Sequence, residues 1–354
     1  MHTRLTRRQW LAALGAGALG AGRRAQAFSQ KPMRGAFIIM ATPYTQSKAV
    51  DFEDLAGEVD FLHRCGVQGM VWPQMASDYL YLKKGERMRG MEVIAKAAKG
   101  KKPALVLGVQ AETKSEMLEF AKKAESLEPD ALIAMPPRKA ESLDDFRSYY
   151  RALCKLTKRP VFIQTTGGAK GIEVTTDFIL ELAREFTNFG YIKEETKPVL
   201  PRLIELSKHR PTPIKAVFSG SAGRGWTYEM RYGLDGTMPG AMYSDVYALL
   251  WSLHEKKDWV KIREVFSKLL LMINLDQQIP GTRRYIFKRR GIFKNTAARR
   301  GDYTYSKEAV AEIEHNFEAL KPYLTRISIL VSVLLTIGWP RTPLFMRVGK
   351  HSRR

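Results

Sequence analysis

Between residues 35 and 240 the chain alternates short apolar runs with longer amphipathic stretches. The runs cover 36–41, 69–72, 104–109, 131–135, 161–165, 190–194, 214–218 and 236–239, eight in all. Each is short, apolar and bounded by turn residues, as a strand buried on both faces should be. Asp51 can cap a helix whose apolar positions Phe52, Leu55, Val59 and Leu62 recur at helical spacing until Gly66. Similar helices are predicted at 114–126, 143–156, 176–185, 198–208 and 226–232. Eight strands with intervening helices predict an α/β fold, specifically a closed (β/α)8 TIM barrel. A doubly wound open sheet would carry a glycine-rich phosphate loop after its first strand, whereas Ala41-Thr42-Pro43 stands there.

Beyond the eighth run, helical periodicity returns at 246–254, 259–273 and 306–320, a C-terminal helical extension packed on the barrel. The organisation expected is a leader at 1–27, a barrel at 34–243, a helical bundle at 244–324 and a basic, apolar tail at 325–354. The leader follows from Arg7 and Arg8 before the uncharged run 10–22 and from Ala25-Gln26-Ala27 as a small-residue cleavage site, which together read as a twin-arginine export signal. Export by the twin-arginine machinery implies a periplasmic or secreted protein that folds before it crosses the membrane. The uncharged run 327–339 is shorter than the roughly 20 residues of a spanning helix; an interfacial anchor, an extra docked helix and a disordered extension all fit it.

Composition alters this picture little. The 354 residues are 45% apolar and 27% charged, enough for a real core. Cys65 and Cys154 are the only cysteines; both fall in helical stretches where buried free thiols are the expectation. The formal charge of +22 is unevenly spread: residues 1–27 hold five basic residues and 326–354 hold six, with no acids, leaving +11 for the body. Eight basic residues and no acid fall within 280–300, a run that suits a phosphate or membrane-surface contact, a solvated helix face or an ionic contact between subunits equally well. Nucleic-acid binding is not expected. The histidines, including His63, His209 and His254, show no paired metal-ligand spacing, and no metal is expected.

The sixth run and its flank read Gly190-Tyr191-Ile192-Lys193-Glu194-Glu195-Thr196. A lysine in a buried parallel strand is desolvated, which favours the neutral amine that attacks carbonyls. The same position also admits a plain ion pair, because alternate strand residues share a face and Glu195 follows Lys193 by two.

This segment resembles the Schiff-base strand of the dihydrodipicolinate synthase and N-acetylneuraminate lyase family. Ala41-Thr42-Pro43 with Asp51, Gly66-Val67-Gln68-Gly69, Leu82 with Glu86-Arg87, Gly108-Val109, Ala124 through Asp130-Ala131, Ser219-Gly220 and Gly233-Leu234-Asp235-Gly236 are similar to family segments in order and spacing, over residues 34–324. The resemblance implies a class I lyase in which Lys193 forms a covalent imine with a 2-oxo acid, without a separate cofactor. It also implies a homo-oligomer, tetramer or dimer. Departures are equally specific. The family's Gly-Thr-Thr-Gly-Glu loop is replaced by Gln74-Met75-Ala76-Ser77-Asp78, its fifth-strand tyrosine by Gln164, and its subunit-bridging tyrosine by Pro136-Pro137-Arg138. Dihydrodipicolinate synthase proper is therefore not expected.

Imine chemistry needs an amine, an acid-base group and a clamp for the carboxylate. Lys193 supplies the amine, and Glu195, nearer the mouth, takes the acid-base role with Gln164 at the tyrosine position. Gln74, Ser77, Thr165 and Thr166 are candidates for substrate hydroxyls, Arg138 or Lys170 for the carboxylate. Ser219 and Gly220 open the loop that, by resemblance, closes the site. The expected activity is aldol cleavage or addition, or dehydration of a 2-oxo-3-deoxy sugar acid. The alternative is a barrel without turnover that binds a small anion in the periplasm, and a further variant uses Lys193 electrostatically, without an imine.

Overall fold

The computed structural model describes residues 31–325, so the leader at 1–27 and the tail from 326 onward lie outside the described residues. Eight parallel strands follow one another in chain order around a closed barrel: β1 (Gly35–Ile39), β2 (Gly69–Trp72), β3 (Ala104–Gly108), β4 (Ala131–Ala134), β5 (Val161–Gln164), β6 (Tyr191–Glu194), β7 (Ala216–Ser219) and β8 (Gly236–Thr237). The expected (β/α)8 TIM barrel with C-terminal helices is the architecture found. Closure rests on the two-residue β8, where Gly236 pairs with Gly35. A Cβ at Gly236 would stand 2.0 Å from the Gly35 carbonyl oxygen, so only glycine lets the last strand approach the first.

Strand alternation decides what the barrel holds. Phe37, Ile39, Val71, Val106, Ile133, Phe162, Phe218 and Met238 meet in one interior cluster. The Phe37 and Phe218 rings lie edge to face with centroids 5.0 Å apart, and Phe162 joins them at 5.5 Å from Phe218. By the same parity Gln164 and Lys193 continue the inward rows toward the C-terminal mouth, where sites of this fold lie.

The helices begin where the sequence offers caps. Asp51 accepts the backbone N–H groups of Glu53 and Asp54, both at 3.1 Å, to start α1 (Phe52–Cys65), and Gly66 ends it at φ 74°. Thr113, Ser142 and Thr175 cap α3 (Lys114–Glu125), α4 (Leu143–Leu156) and α5 (Thr176–Glu185) in the same way. Between α1 and α3 lies α2 (Lys84–Ala98), and α6 (Val199–Lys208) precedes β7. The helix expected over 226–232 is only one turn, α7 (Trp226–Glu229), continued by a 3-10 turn to Tyr232. Cys65 and Cys154 are buried free thiols.

The extension comprises α8 (Ser244–Glu255), α9 (Trp259–Gln278), α10 (Thr282–Arg289) and α11 (Lys307–Leu320). The third of these was not evident from periodicity, because it lies inside the basic run. Seven of that run's eight cations pair with carboxylates of the same chain. Arg290 meets Asp245 at 2.6 Å with both side chains buried, Arg284 and Arg300 share Asp78, Arg299 meets Glu86 at 2.6 Å, Arg283 meets Asp276 at 2.7 Å, and Arg289 meets Glu314 at 2.9 Å. Lys294 reaches Asp51, Glu53 and Asp54. The run is thus an ionic clasp: Arg284, Lys294, Arg299 and Arg300 tie the extension to the helices and loops that follow β1 and β2, and Arg283, Arg289 and Arg290 pair within the extension. Among the described residues no helix is long and apolar enough to cross a membrane.

Candidate active site

The ends of β5 and β6 bring three of the expected residues together. Gln164 and Lys193 are register partners on these neighbouring strands. Lys193 Nζ donates to Gln164 Oε1 at 2.9 Å and lies 3.4 Å from Glu195 Oε1. Gln164 Nε2 donates to Glu195 Oε2 at 2.8 Å, closing a triangle of amine, amide and carboxylate. The Lys193 side chain is only 3% exposed, whereas Glu195 retains 20% and forms the wet edge of the cluster.

Glu195 is held from two further directions. The Thr166 hydroxyl donates to Oε2 at 3.2 Å, and the backbone N–H of Ser221, in the loop after β7, donates to Oε1 at 2.9 Å. Burial alone would raise this carboxyl. The Lys193 ammonium, the Ser221 N–H and the Thr166 hydroxyl outweigh it, and Glu195 titrates below the ordinary glutamate value. Gly220 provides the space: a Cβ there would lie 2.1 Å from Glu195 Oε1.

A second layer faces outward, between barrel and helices. Glu194, fully buried, accepts from the Thr165 hydroxyl at 2.6 Å and from the Thr196 N–H at 2.7 Å, while its other oxygen lies 3.1 Å from Arg202 Nε. The Thr165 hydroxyl also receives the Glu195 N–H at 3.0 Å. This layer fixes the backbone from which Glu195 projects. Ser219 belongs to the layer too: its hydroxyl donates to Glu229, whose carboxyl burial pushes up. Thr165, Thr166 and Thr196 line a cavity of about 380 Å³ together with Pro136 and Gly168.

On the β2 side, the Ser77 hydroxyl is taken up by the Met40 carbonyl and the Gln74 N–H, at 2.5 and 3.0 Å, and so braces the loop. Gln74 Nε2 donates to Gln110 Oε1 at 2.9 Å, leaving Gln74 Oε1 buried and without a partner among the described residues. Arg138 and Lys170 are exposed on the loops after β4 and β5, and among the described residues neither shares a hydrogen bond or ion pair with Lys193 or Glu195. Three participants escape sequence reasoning: Gln110, which strand parity beyond Gly108 could have exposed; the Ser221 N–H, which has no side-chain signal; and Arg202, whose link to Glu194 requires the fold. Among the described residues no group of three or more His, Cys, Asp and Glu side chains is placed to hold a metal ion.

Comparison with known proteins sets this geometry in context. The model of the dihydrodipicolinate synthetase family matches residues 32–248. The 4-hydroxy-tetrahydrodipicolinate synthase of Chlorobium chlorochromatii is 25% identical over 268 residues, 74% of this chain and 89% of that protein. That of Phocaeicola vulgatus is 26% identical over 195 residues, 55% of this chain and 65% of that protein. Among solved structures, dihydrodipicolinate synthase from Rhodopseudomonas palustris superposes with a TM-score of 0.73 at 20% identity, covering 81% of this chain and 97% of its own. A dihydrodipicolinate synthetase homologue from Pseudomonas aeruginosa gives 0.74 at 19% identity, covering 82% and 100%.

Proposed function

The chain belongs to the dihydrodipicolinate synthetase family, and from that premise we propose that it is a class I lyase acting through an imine between Lys193 and a 2-oxo acid. The observation that carries this reading is the placement of Lys193 Nζ inside the barrel, 2.9 Å from Gln164 Oε1 and 3.4 Å from Glu195 Oε1. Glu195 takes a proton from the ammonium, and the freed lone pair adds to the carbonyl carbon. A proton of the adding nitrogen passes to the alkoxide oxygen to give the neutral carbinolamine, and the same carboxyl then protonates its hydroxyl, which leaves as water. Ammonium and ketone thus give iminium and water with no net change in protons, and Glu195 ends as it began. The iminium withdraws electrons from the neighbouring carbon, permitting aldol cleavage, aldol addition or loss of a 3-hydroxyl as water.

Gln164 cannot take the acid-base part of a tyrosine, because an amide neither gives up nor accepts a proton near neutrality. It is a positioning residue, accepting from the amine and donating to the carboxylate. With this amide on β5 and with Met75 and Ala76 in the β2 loop, we propose a reaction other than that of the named synthases. A second reading, a barrel that binds a small anion without turnover, is favoured by the ion pair itself: an ammonium held against an ionised carboxylate is not a nucleophile.

Borohydride trapping tests the choice. The protein is incubated with pyruvate and a panel of 2-oxo acids, reduced, and mapped by peptide mass spectrometry, with Lys193→Ala as control. An adduct on Lys193 supports the lyase; no adduct from folded protein at neutral to alkaline pH puts the binding reading first. We further propose export through the twin-arginine route to the periplasm, which fractionation of cells expressing Arg7→Lys/Arg8→Lys tests, and assembly as a dimer or tetramer, which sedimentation tests.

A further inference from the structure

One part of the ionic clasp has donors to spare. Where the basic run passes the barrel mouth, a cavity of about 280 Å³ opens between the end of α9, the start of α10 and the loop after β2. Its charged lining is Asp78, Asp276, Arg283, Arg284 and Arg300, three guanidiniums against two carboxylates. Arg284 is 7% exposed and held by Asp78 at 2.6 Å and the Thr42 carbonyl at 2.8 Å. Of the other two, Arg283 is half-buried at 34% and Arg300 is exposed at 44%. Arg283 gives Nη2 to Asp276, and Arg300 gives Nε to Asp78 and Nη2 to the Met75 carbonyl. Within the described residues, Nε and Nη1 of Arg283 and Nη1 of Arg300 have no acceptor.

The position of the cavity ties it to the mouth. Ala76, on its wall, also packs against the interior cluster of the barrel. Arg284 reaches the backbone of Thr42, just past β1. In a ring of eight strands β2 and β6 are four apart, so the β2 loop that lines this cavity stands across the barrel from Lys193.

We propose that Arg283 and Arg300 bind a carboxylate at the far end of the substrate, so that the 2-oxo acid turned over at Lys193 is a diacid. This rests on the lyase reading above and narrows its substrate class. The excess of one positive charge matches one carboxylate, and guanidinium forks suit its planar oxygens.

The test compares borohydride trapping of 2-oxoglutarate, 2-oxoadipate and 2-oxopimelate with trapping of the 2-oxo monoacids of equal length. For at least one pair the diacid reaches half-maximal trapping at a concentration lower by about tenfold or more, the scale of a charge-assisted hydrogen bond. In Arg283→Gln/Arg300→Gln this ratio falls toward one; in Lys288→Gln, which removes a charge from the same run outside the cavity, it stays. Arg300→Gln alone serves if the double variant does not fold. A ratio near one in the native protein, or one that survives in the variants, overturns the proposal. Calorimetric titration with glutarate, which has no carbonyl, separates the two readings. Glutarate bound by the native protein and lost in the arginine variants upholds the site even if no acid is trapped, in which case only the lyase reading has failed. No glutarate binding, or inorganic phosphate bound more tightly than glutarate, overturns the carboxylate assignment.

Discussion

The Cα of Gly220 faces the Glu195 carboxylate so closely that a Cβ built there would lie 2.1 Å from Oε1 and 2.2 Å from Cγ. Both atoms belong to the side chain that closes the triangle with Lys193 and Gln164, so Gly220→Ala must displace Glu195 or move the loop after β7. The expected cost is about 1–3 kcal/mol of stability, the range for forcing an extra methyl into filled space. Loss of imine trapping should accompany it. In a Glu195→Ala background, which carries its own cost from the unpaired Lys193, Gly220→Ala should cost far less than in the native protein, and trapping should stay lost. Urea melts of the native protein, both single variants and the double variant check this; an equal cost of Gly220→Ala in both backgrounds would mean that the glycine serves the loop backbone instead.

Titration of Glu195 gives a prediction with a definite sign. Its folded-state value lies below the ordinary one, so its ion pair contributes stability that is present above about pH 4.3 and lost as pH falls through the lower folded value. Glu195→Gln leaves Lys193 buried without a counterion and should cost about 2 kcal/mol at neutral pH, under the usual range for buried pairs because Glu195 keeps a wet edge. That gap should close in acid, where the native protein loses the same contribution. Lys193→Met works in the opposite sense. It removes the charge that opposes burial, so Glu195 titrates higher than in the native protein and acidification costs the variant less. Melting midpoints across the acid range test both; parallel curves for native protein and Lys193→Met would contradict the assignment of the shift to Lys193.

The basic run yields a contrast between neighbours. Arg290 is 3% exposed against Asp245 at 2%, its Nη1 also donates to the Met242 carbonyl, and its guanidinium lies 5.0 Å over the Phe61 ring. Lys288, two residues earlier, is exposed. Arg290→Ala should therefore cost about 3–5 kcal/mol, the penalty for opening a buried ion pair, while Lys288→Ala should stay within about 0.5 kcal/mol. Denaturant midpoints decide it. Equal, small effects would return the run to a solvated face.

What the sequence made legible follows from range. Strand alternation is a property of adjacent residues, so it suffices to put Lys193 and Glu195 on one face, and register from Pro160 suffices for Gln164. Eight short apolar runs separated by helical periods suffice for the barrel. The basic run was visible only as charge, because Arg284 and Asp78 are 206 residues apart and Lys294 and Asp51 are 243 apart. Ser219 misled for a related reason. Composition marks it as polar at the mouth, but with Phe218 in the barrel interior the next residue must face the helices, where its hydroxyl is taken by Glu229. Arg138 and Lys170 carry charge on the right loops, but loop charge does not specify where a long side chain points.

Gln164 allows the sharpest dissection, because its two amide atoms contact different partners: Oε1 accepts from Lys193 at 2.9 Å and Nε2 donates to Glu195 at 2.8 Å. Gln164→Leu removes both contacts and should slow trapping about tenfold or more, the scale of losing a hydrogen bond to a charged group. Gln164→Glu keeps an oxygen toward the amine but sets a second carboxylate against Glu195. Two carboxylates at that separation cannot both ionise freely, so one holds its proton to higher pH. The glutamate variant should therefore retain trapping in alkali while the pH at which trapping sets in moves upward. The leucine variant should be slow at every pH. Rate against pH for the native protein and both variants distinguishes a residue that positions the amine and the base from one that merely fills space, since a filler would leave the shape of the native profile in both.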